Sequence, residues 1–297
     1  MNTLIGTSGY DYPEWKGAFY PENLKRKDFL SYYSTQFNAL ELNNTFYNMP
    51  TAERMKGFYE RSEGRLSFSV KANRLLTHET GADWRENAKA FQMAVSPLLE
   101  KNSLCTVLFQ FPQSFHYTKD NRIYLSNLIE EFKGFPVVIE FRHVDWVRDS
   151  VFEGLKERGA EIAYCDMPKL KYLPPSVGSM DSVNSVPVTN SLPAANFMPA
   201  ANFAGSTSSA SSTPAAGGLF YLRLHGRNSD AWYSDSQSGS ARYKYNYSDA
   251  ELSEFLPVIQ NIIITGKKPV VFFNNHPNGS GPLNARRLQK MLSAPAI

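Results

Sequence analysis

Cysteine is scarce: the chain has two in 297 residues, Cys105 and Cys165. Both lie in apolar, β-like runs (104–111 and 161–166), so buried reduced thiols are expected. No C-x-x-C pair or Cys/His cluster carries zinc-ligand spacing. A chain of this length buries a large core, so it needs no disulfide to fold. Long apolar runs are also lacking, and none approaches the ~20 residues of a membrane span. Met1–Gly6 has no basic segment and runs straight into a strand pattern, so no signal peptide is expected. These absences lead us to expect a cytoplasmic protein without a membrane or an evident protein partner. Charge of one sign is missing too. Lys and Arg number 31 against 28 Asp and Glu, a net charge of +3. That excludes the dense basicity of a dedicated nucleic-acid binder, yet suits an anionic small molecule or a nucleic-acid end.

What is present is alternation. Short apolar runs at 4–8, 39–43, 66–71, 104–111, 136–142, 161–166, 219–225 and 269–274 read as strands. Amphipathic segments at 27–37, 51–61, 84–101, 119–132, 150–158, 248–265 and 282–292 read as helices between them. Pro282 suits a first helical turn, and Ser248 with Glu251 forms a capping-box pattern. Eight strands with intervening helices predict a parallel sheet closed into a single (β/α)8 barrel, an α/β fold spanning residues 1–297. Residues 168–218 break the rhythm. They are rich in Ser, Pro, Ala, Asn and Gly, and they hold the near-repeat 193–197 and 199–203. Such composition predicts a low-complexity, flexible insertion between strands six and seven, in place of a helix.

Residues two apart on a strand share a face. Applied to the C-terminal end of each strand, that rule puts Glu41 and Asn43, Ser69 and Lys71, Gln110, and Glu140 and Arg142 at the barrel mouth. Tyr164 and Asp166, Tyr221, Arg223 and His225, and Asn274 complete the set. The alternate positions, including Ala163 and Cys165, read as apolar and face the helices. Barrel enzymes build their sites at this end. Glu41, Glu140, Asp166 and His225 are candidate catalytic groups, acid–base residues or ligands of a divalent metal, and the cofactor is left open. Lys71, Arg142 and Arg223 suit phosphate or carboxylate. His78 and His143 stand in loops at the same end as further substrate-binding candidates. Each charged residue taken singly also reads as an internal ion-pair partner.

The last strand–helix loop, Asn274 to Gly281, is small and Gly-rich before a helix, a setting that favours anions. Asn275, and Asn284 beyond it, are candidates there. His116 reads as a surface loop residue, His276 as part of a turn, and Ser8 as a group the first loop offers to the site. Aromatics gather at this end: Trp15, Phe19, Tyr20, Phe46, Tyr47, Trp146, Trp232, Tyr233, Tyr243, Tyr245 and Tyr247. They read either as packing for long loops or as a stacking platform, with Tyr243 a candidate contact.

The chain resembles the YecE-like family of uncharacterised TIM barrels. The resemblance rests on IGTSGY, the W-K-G-x-F-Y-P run from Trp15, E-L-N-N-T-F-Y from Glu41, F-S-V-K ending at Lys71 with Thr77 and His78, and Q-F-P from Gln110. E-F-R-H-x-x-W from Glu140, Y-L-R-L-H-G from Tyr221, R-Y-x-Y-x-Y from Arg242, and F-N-N from Phe273 with Asn284 and Ala285 extend it over nearly the whole chain. It implies the barrel fold and no particular reaction.

The favoured expectation is an enzyme acting on a phosphorylated or phosphodiester substrate, a hydrolytic activity with Arg142, Arg223 and Lys71 holding the anion and Glu140 or Asp166 as base. The alternatives are a non-catalytic binder of a nucleotide, nucleic-acid end or sugar, and a metal-free glycosidase-like hydrolase using Glu41 and Glu140. A third, plainer reading is a buried ion network with no ligand.

Overall fold

A computed structural model describes residues 3–176, 218–233 and 241–294. Eight parallel strands close into a barrel in sequence order: β1 (Leu4–Ser8), β2 (Ala39–Leu42), β3 (Ser67–Lys71), β4 (Leu104–Gln110), β5 (Val137–Glu140), β6 (Ala160–Asp166), β7 (Leu219–Leu224) and β8 (Lys268–Phe273). β8 pairs with β1 to complete the ring. The expected (β/α)8 fold is therefore the fold observed. Among the described residues the α-helices are α1 (Phe29–Gln36), α2 (Ala52–Arg61), α3 (Trp84–Glu100), α4 (Lys119–Glu131), α5 (Asp149–Glu157), α6 (Asp249–Ser253), α7 (Phe255–Ile264) and α8 (Ser280–Ser293). Most of the expected insertion, residues 177–217, lies outside the described residues.

Local chemistry sets the helix ends. Thr51 and Thr118 cap α2 and α4 by accepting from the backbone N–H groups of Arg54 and Asn121. The Ser248–Glu251 capping box is formed at α6. The single helix expected over 248–265 is broken at Glu254. Pro257 has no N–H to donate to the Ser253 carbonyl and crowds it, so the turn there cannot continue undisturbed. Pro282 falls in the first turn of α8, as expected.

Two cores result. Outward strand residues such as Leu40, Phe68, Val107, Ile139, Leu222 and Val271 pack against the helices. Each fully buried side chain of this kind stabilises the fold by about 1.5–3 kcal/mol. Inside the barrel, Leu4, Ala39, Leu108, Val138, Ala163, Tyr221, Val270 and Phe272 form an apolar plug. The polar residues begin where this plug ends, toward the C-terminal ends of the strands, so the plug is the floor of the site.

The strand-six phase is a correction. Ala163 registers with Tyr221 and Cys165 with Arg223. Registered neighbours in a sheet share a face, so Ala163 and Cys165 point inward. Tyr164 stacks on Phe220 among the outward residues, and Asp166 follows it to the outer face. Both cysteines are free thiols, and burial raises Cys105 to about 12.

Candidate active site at the barrel mouth

A chain of hydroxyls crosses the barrel above the apolar floor. Thr106 donates to Ser69 (2.7 Å), Ser69 and Tyr221 are 2.6 Å apart, and Tyr221 donates to Glu41 (2.7 Å). Arg223 lies beside them, 1% exposed. It donates to both oxygens of Glu41, through Nε at 2.9 Å and a terminal nitrogen at 2.6 Å, and to Glu140 at 2.5 Å. Glu140 also accepts from Arg142 Nε. Burial alone would raise the Glu140 carboxyl, but the Arg142 and Arg223 guanidiniums outweigh it and hold the group well below the usual carboxylate range. Both carboxylates are fully buried, and each is engaged by arginine.

His225 sits at the next level. Its Nε2 is 3.2 Å from Arg142, and its Nδ1 is 2.9 Å from the Asn274 amide. Burial and the Arg142 and Arg223 charges lower its pKa far below the ordinary value, so the ring is neutral. Lys71 donates to Gln110 (2.8 Å) and lies over the Phe46 ring at 4.1 Å. Burial, with the Arg223 and Arg142 charges, lowers its pKa from 10.5 to about 7. His78 bonds Thr77 and meets Phe46 edge-on. Burial, Lys71 and Arg142 lower its pKa to about 4.

Above this network opens a cavity of about 720 Å³. Lys71, Arg142 and Arg242 bring positive charge to it, and His78, Gln110 and Tyr243 add polar groups. Among the described residues, none of its lining is acidic. Phe46, Tyr47, Trp232 and Tyr233 form its aromatic rim. Trp15, Phe19, Tyr20, Trp146 and Tyr247 are instead buried in the core, packing loops onto the barrel.

The expected residues thus divide into groups. Glu41, Glu140, Arg142, Arg223, His225 and Asn274 share one network. Lys71, His78, Gln110, Arg142 and Tyr243 line the cavity. Asp166 stands apart, because the phase of β6 turns it outward. It accepts from Tyr247 (2.7 Å), Arg227 (2.9 Å) and Ser176, so Glu41, Glu140, Asp166 and His225 do not converge on one metal position. Asn275 donates to Asn284, which also accepts from the Tyr247 backbone. These two tie the β8–α8 loop to the segment before α6. Gly279, at the start of α8, faces Ala18 and Trp15, so from that loop it is His276 that reaches the cavity. His143 lies beside His116 and Asp145, accepting from the Asp145 backbone.

Arg242, Gln113 and His276 line the cavity and were not among the site candidates read from the sequence. They lie in the loops after strands four, seven and eight; Arg242 also opens the R-Y-x-Y-x-Y run, and His276 read as part of a turn. Ser8, the last residue of β1, and Asn43 and His276, which follow the neighbouring β2 and β8, each keep a buried polar atom with no partner among the described residues.

The family described as "Protein of unknown function DUF72" matches residues 4–296. The chain is 25% identical over 300 residues to the UPF0759 protein YunF of Bacillus subtilis, covering 97% of this chain and 94% of that one. Its fold is similar to the crystal structure of a DUF72 family protein, TM1631, from Thermotoga maritima. The TM-score is 0.78 at 29% identity, over 98% of this chain and all of that one. A DUF72 family protein from Enterococcus faecalis shares the fold at a TM-score of 0.76 and 21% identity, with 99% and 97% of the two chains covered. Among the described residues, no helix is long and apolar enough to cross a membrane.

Proposed function

The chain belongs to the DUF72 family, and from its own geometry we propose that it is an enzyme acting on a phosphorylated or phosphodiester substrate bound at the barrel mouth. One observation carries this reading: the described lining of the cavity holds three cationic side chains and no acidic one. An anion there meets the Arg142 and Arg242 guanidiniums, which suit bidentate contact with phosphate oxygens. The unpartnered ring nitrogen of His276, which lines the cavity, is a group that a bound substrate would satisfy. The motif likeness to YecE-like proteins is part of the same reading.

Lys71 is the group we assign to proton transfer. Burial brings it to about 7, where a base works near neutral pH. His78, lowered to about 4, stays neutral and offers hydrogen bonds. Glu41 and Glu140 act through Arg223 and Arg142. They hold those cations in place and keep the developing charge of the reaction facing fixed positive groups. That role replaces the expected one of Glu140 as base, and it argues against a Glu41/Glu140 glycosidase pair. A non-catalytic nucleotide site is the second reading, favoured by the aromatic rim of Phe46, Tyr47, Trp232 and Tyr233, which suits a base.

The test is thermal unfolding of the full chain with sulfate, phosphate, sugar phosphates, nucleotides, short oligonucleotides and unphosphorylated sugars. A ligand held only by the folded state raises stability by about 2.7 kcal/mol at a hundred times its Kd. Stabilisation by phosphorylated ligands, lost in Arg142→Met, supports the reading. Stabilisation by unphosphorylated sugars alone overturns it. Turnover of the stabilising class, lost in Lys71→Met, separates enzyme from binder.

A further inference from the structure

Away from the cavity lining, three ligand-type side chains converge on one point between the β4–α4 and β5–α5 loops. His116, His143 and Asp145 place their ligand atoms within 4.8 Å of one another. Asp145 Oδ2 is 3.2 Å from His143 Nδ1 and 3.7 Å from His116 Nδ1. We propose that His116, His143 and Asp145 form a binding site for one borderline transition-metal ion, Zn²⁺ or a divalent ion of similar preference.

The distances fit. Zinc holds His nitrogen and carboxylate oxygen at ~2.0–2.2 Å, so two ligands of a tetrahedron lie about 3.3–3.5 Å apart. The two observed separations bracket that edge. The backbone N–H of Asp145 lies 3.2 Å from His143 Nδ1, and a bound ion would take the place of that hydrogen bond on the nitrogen's single lone pair. The site is also braced: His143 is largely buried and stacks on Tyr172, whose carbonyl accepts from the Val144 N–H. His116 packs edge-on against the His143 ring at 4.4 Å. Two imidazoles and one carboxylate suit Zn²⁺, Co²⁺ or Ni²⁺ better than Mg²⁺ or Ca²⁺, which prefer all-oxygen sets. Three protein ligands leave a fourth position to water. The ion would join the loop after β4 to the loop after β5.

A second cluster, Glu140, Cys165 and His225, also lies within ligand distance, but Glu140 and His225 are already bonded to Arg142.

The test is titration of the untagged, chelator-stripped full chain with Co²⁺, read by its visible absorption, with Zn²⁺ as competitor. One equivalent with a tetrahedral spectrum, displaced by Zn²⁺, is expected. His116→Ala, at an exposed position, and Asp145→Asn should each weaken binding by at least about 10-fold with circular dichroism unchanged. The proposal is overturned by no binding at micromolar metal, by binding unaffected in both variants, or by a thiolate charge-transfer band abolished in Cys165→Ser.

Discussion

Arg223 and Glu41 meet face to face across the barrel interior, two nitrogens of one to two oxygens of the other at 2.9 and 2.6 Å. The same guanidinium reaches Glu140 at 2.5 Å. One cation therefore joins two fully buried carboxylates, and Arg142 is the second cation on Glu140. Removing Arg223 leaves Glu41 without its cation in a fully buried position, and breaking a buried pair in this way typically costs about 3–5 kcal/mol. Arg223→Met should lower stability in urea unfolding by that order. A loss below about 1 kcal/mol would mean that Glu41 and Glu140 are not ionised together.

Glu140 responds to acid in a defined direction. Its native pKa is depressed, because Arg142 and Arg223 outweigh the effect of burial. Its contribution to stability is present above the ordinary carboxylate pKa and is lost as pH falls toward the native value. The stability difference between the wild type and Glu140→Gln should therefore shrink on acidification below about pH 4.5. A difference constant down to about pH 3 would contradict the depressed pKa.

Lys71 has the opposite sign. Its native pKa is about 7 against an ordinary 10.5. Between those values the unfolded chain binds more protons than the native one. Stability from this group then rises with pH across the window, and the cost of burial is fully present below about 7. Lys71→Met should gain on the wild type near about pH 6 and lose that gain toward about pH 10. Unfolding at a series of pH values reads this directly, and a gain independent of pH would show an unperturbed amine.

The same proton governs anion affinity. A protonated Lys71 binds an anion better than a neutral one, so the protein should take up a proton as sulfate binds, and sulfate affinity should weaken as pH rises through about 7. Sulfate does not itself titrate in that range. Calorimetry in two buffers of different ionisation enthalpy reads the proton. Uptake that persists in Lys71→Met would move the titrating group elsewhere.

Gly226 has a backbone reason for being glycine. Its φ is +90°, and a Cβ there would lie 2.4 Å from the Tyr245 Cβ. Its N–H bonds the Tyr247 hydroxyl at 2.9 Å, joining the end of β7 to the segment that carries the Asp166 partner. Gly226→Ala should cost at least about 1–3 kcal/mol. A neutral effect in thermal unfolding would mean that the loop re-forms without strain.

The sequence by itself determined the barrel. Eight apolar runs separated by capped amphipathic segments admit few other arrangements, and the ends of those runs already named Glu41, Lys71, Gln110, Glu140, Arg142, Arg223 and His225. Period-two alternation carries that much because most strands have only one polar face. It failed at β6, where Ala-Tyr-Cys-Asp can be read in either phase. Only the register of Ala163 with Tyr221 and Cys165 with Arg223 sent Asp166 outward to Arg227 and Tyr247. Tertiary structure also decided which charges serve one another. Glu41 and Arg223 are 182 residues apart, and no local pattern shows that the carboxylates are bonded to arginine while the lysine beside them is left to face the cavity. Arg242 and His276 reach that cavity from loops whose paths depend on closure of the ring. Pairing of charges is a property of distance and burial, and both arise only when all eight strands have met.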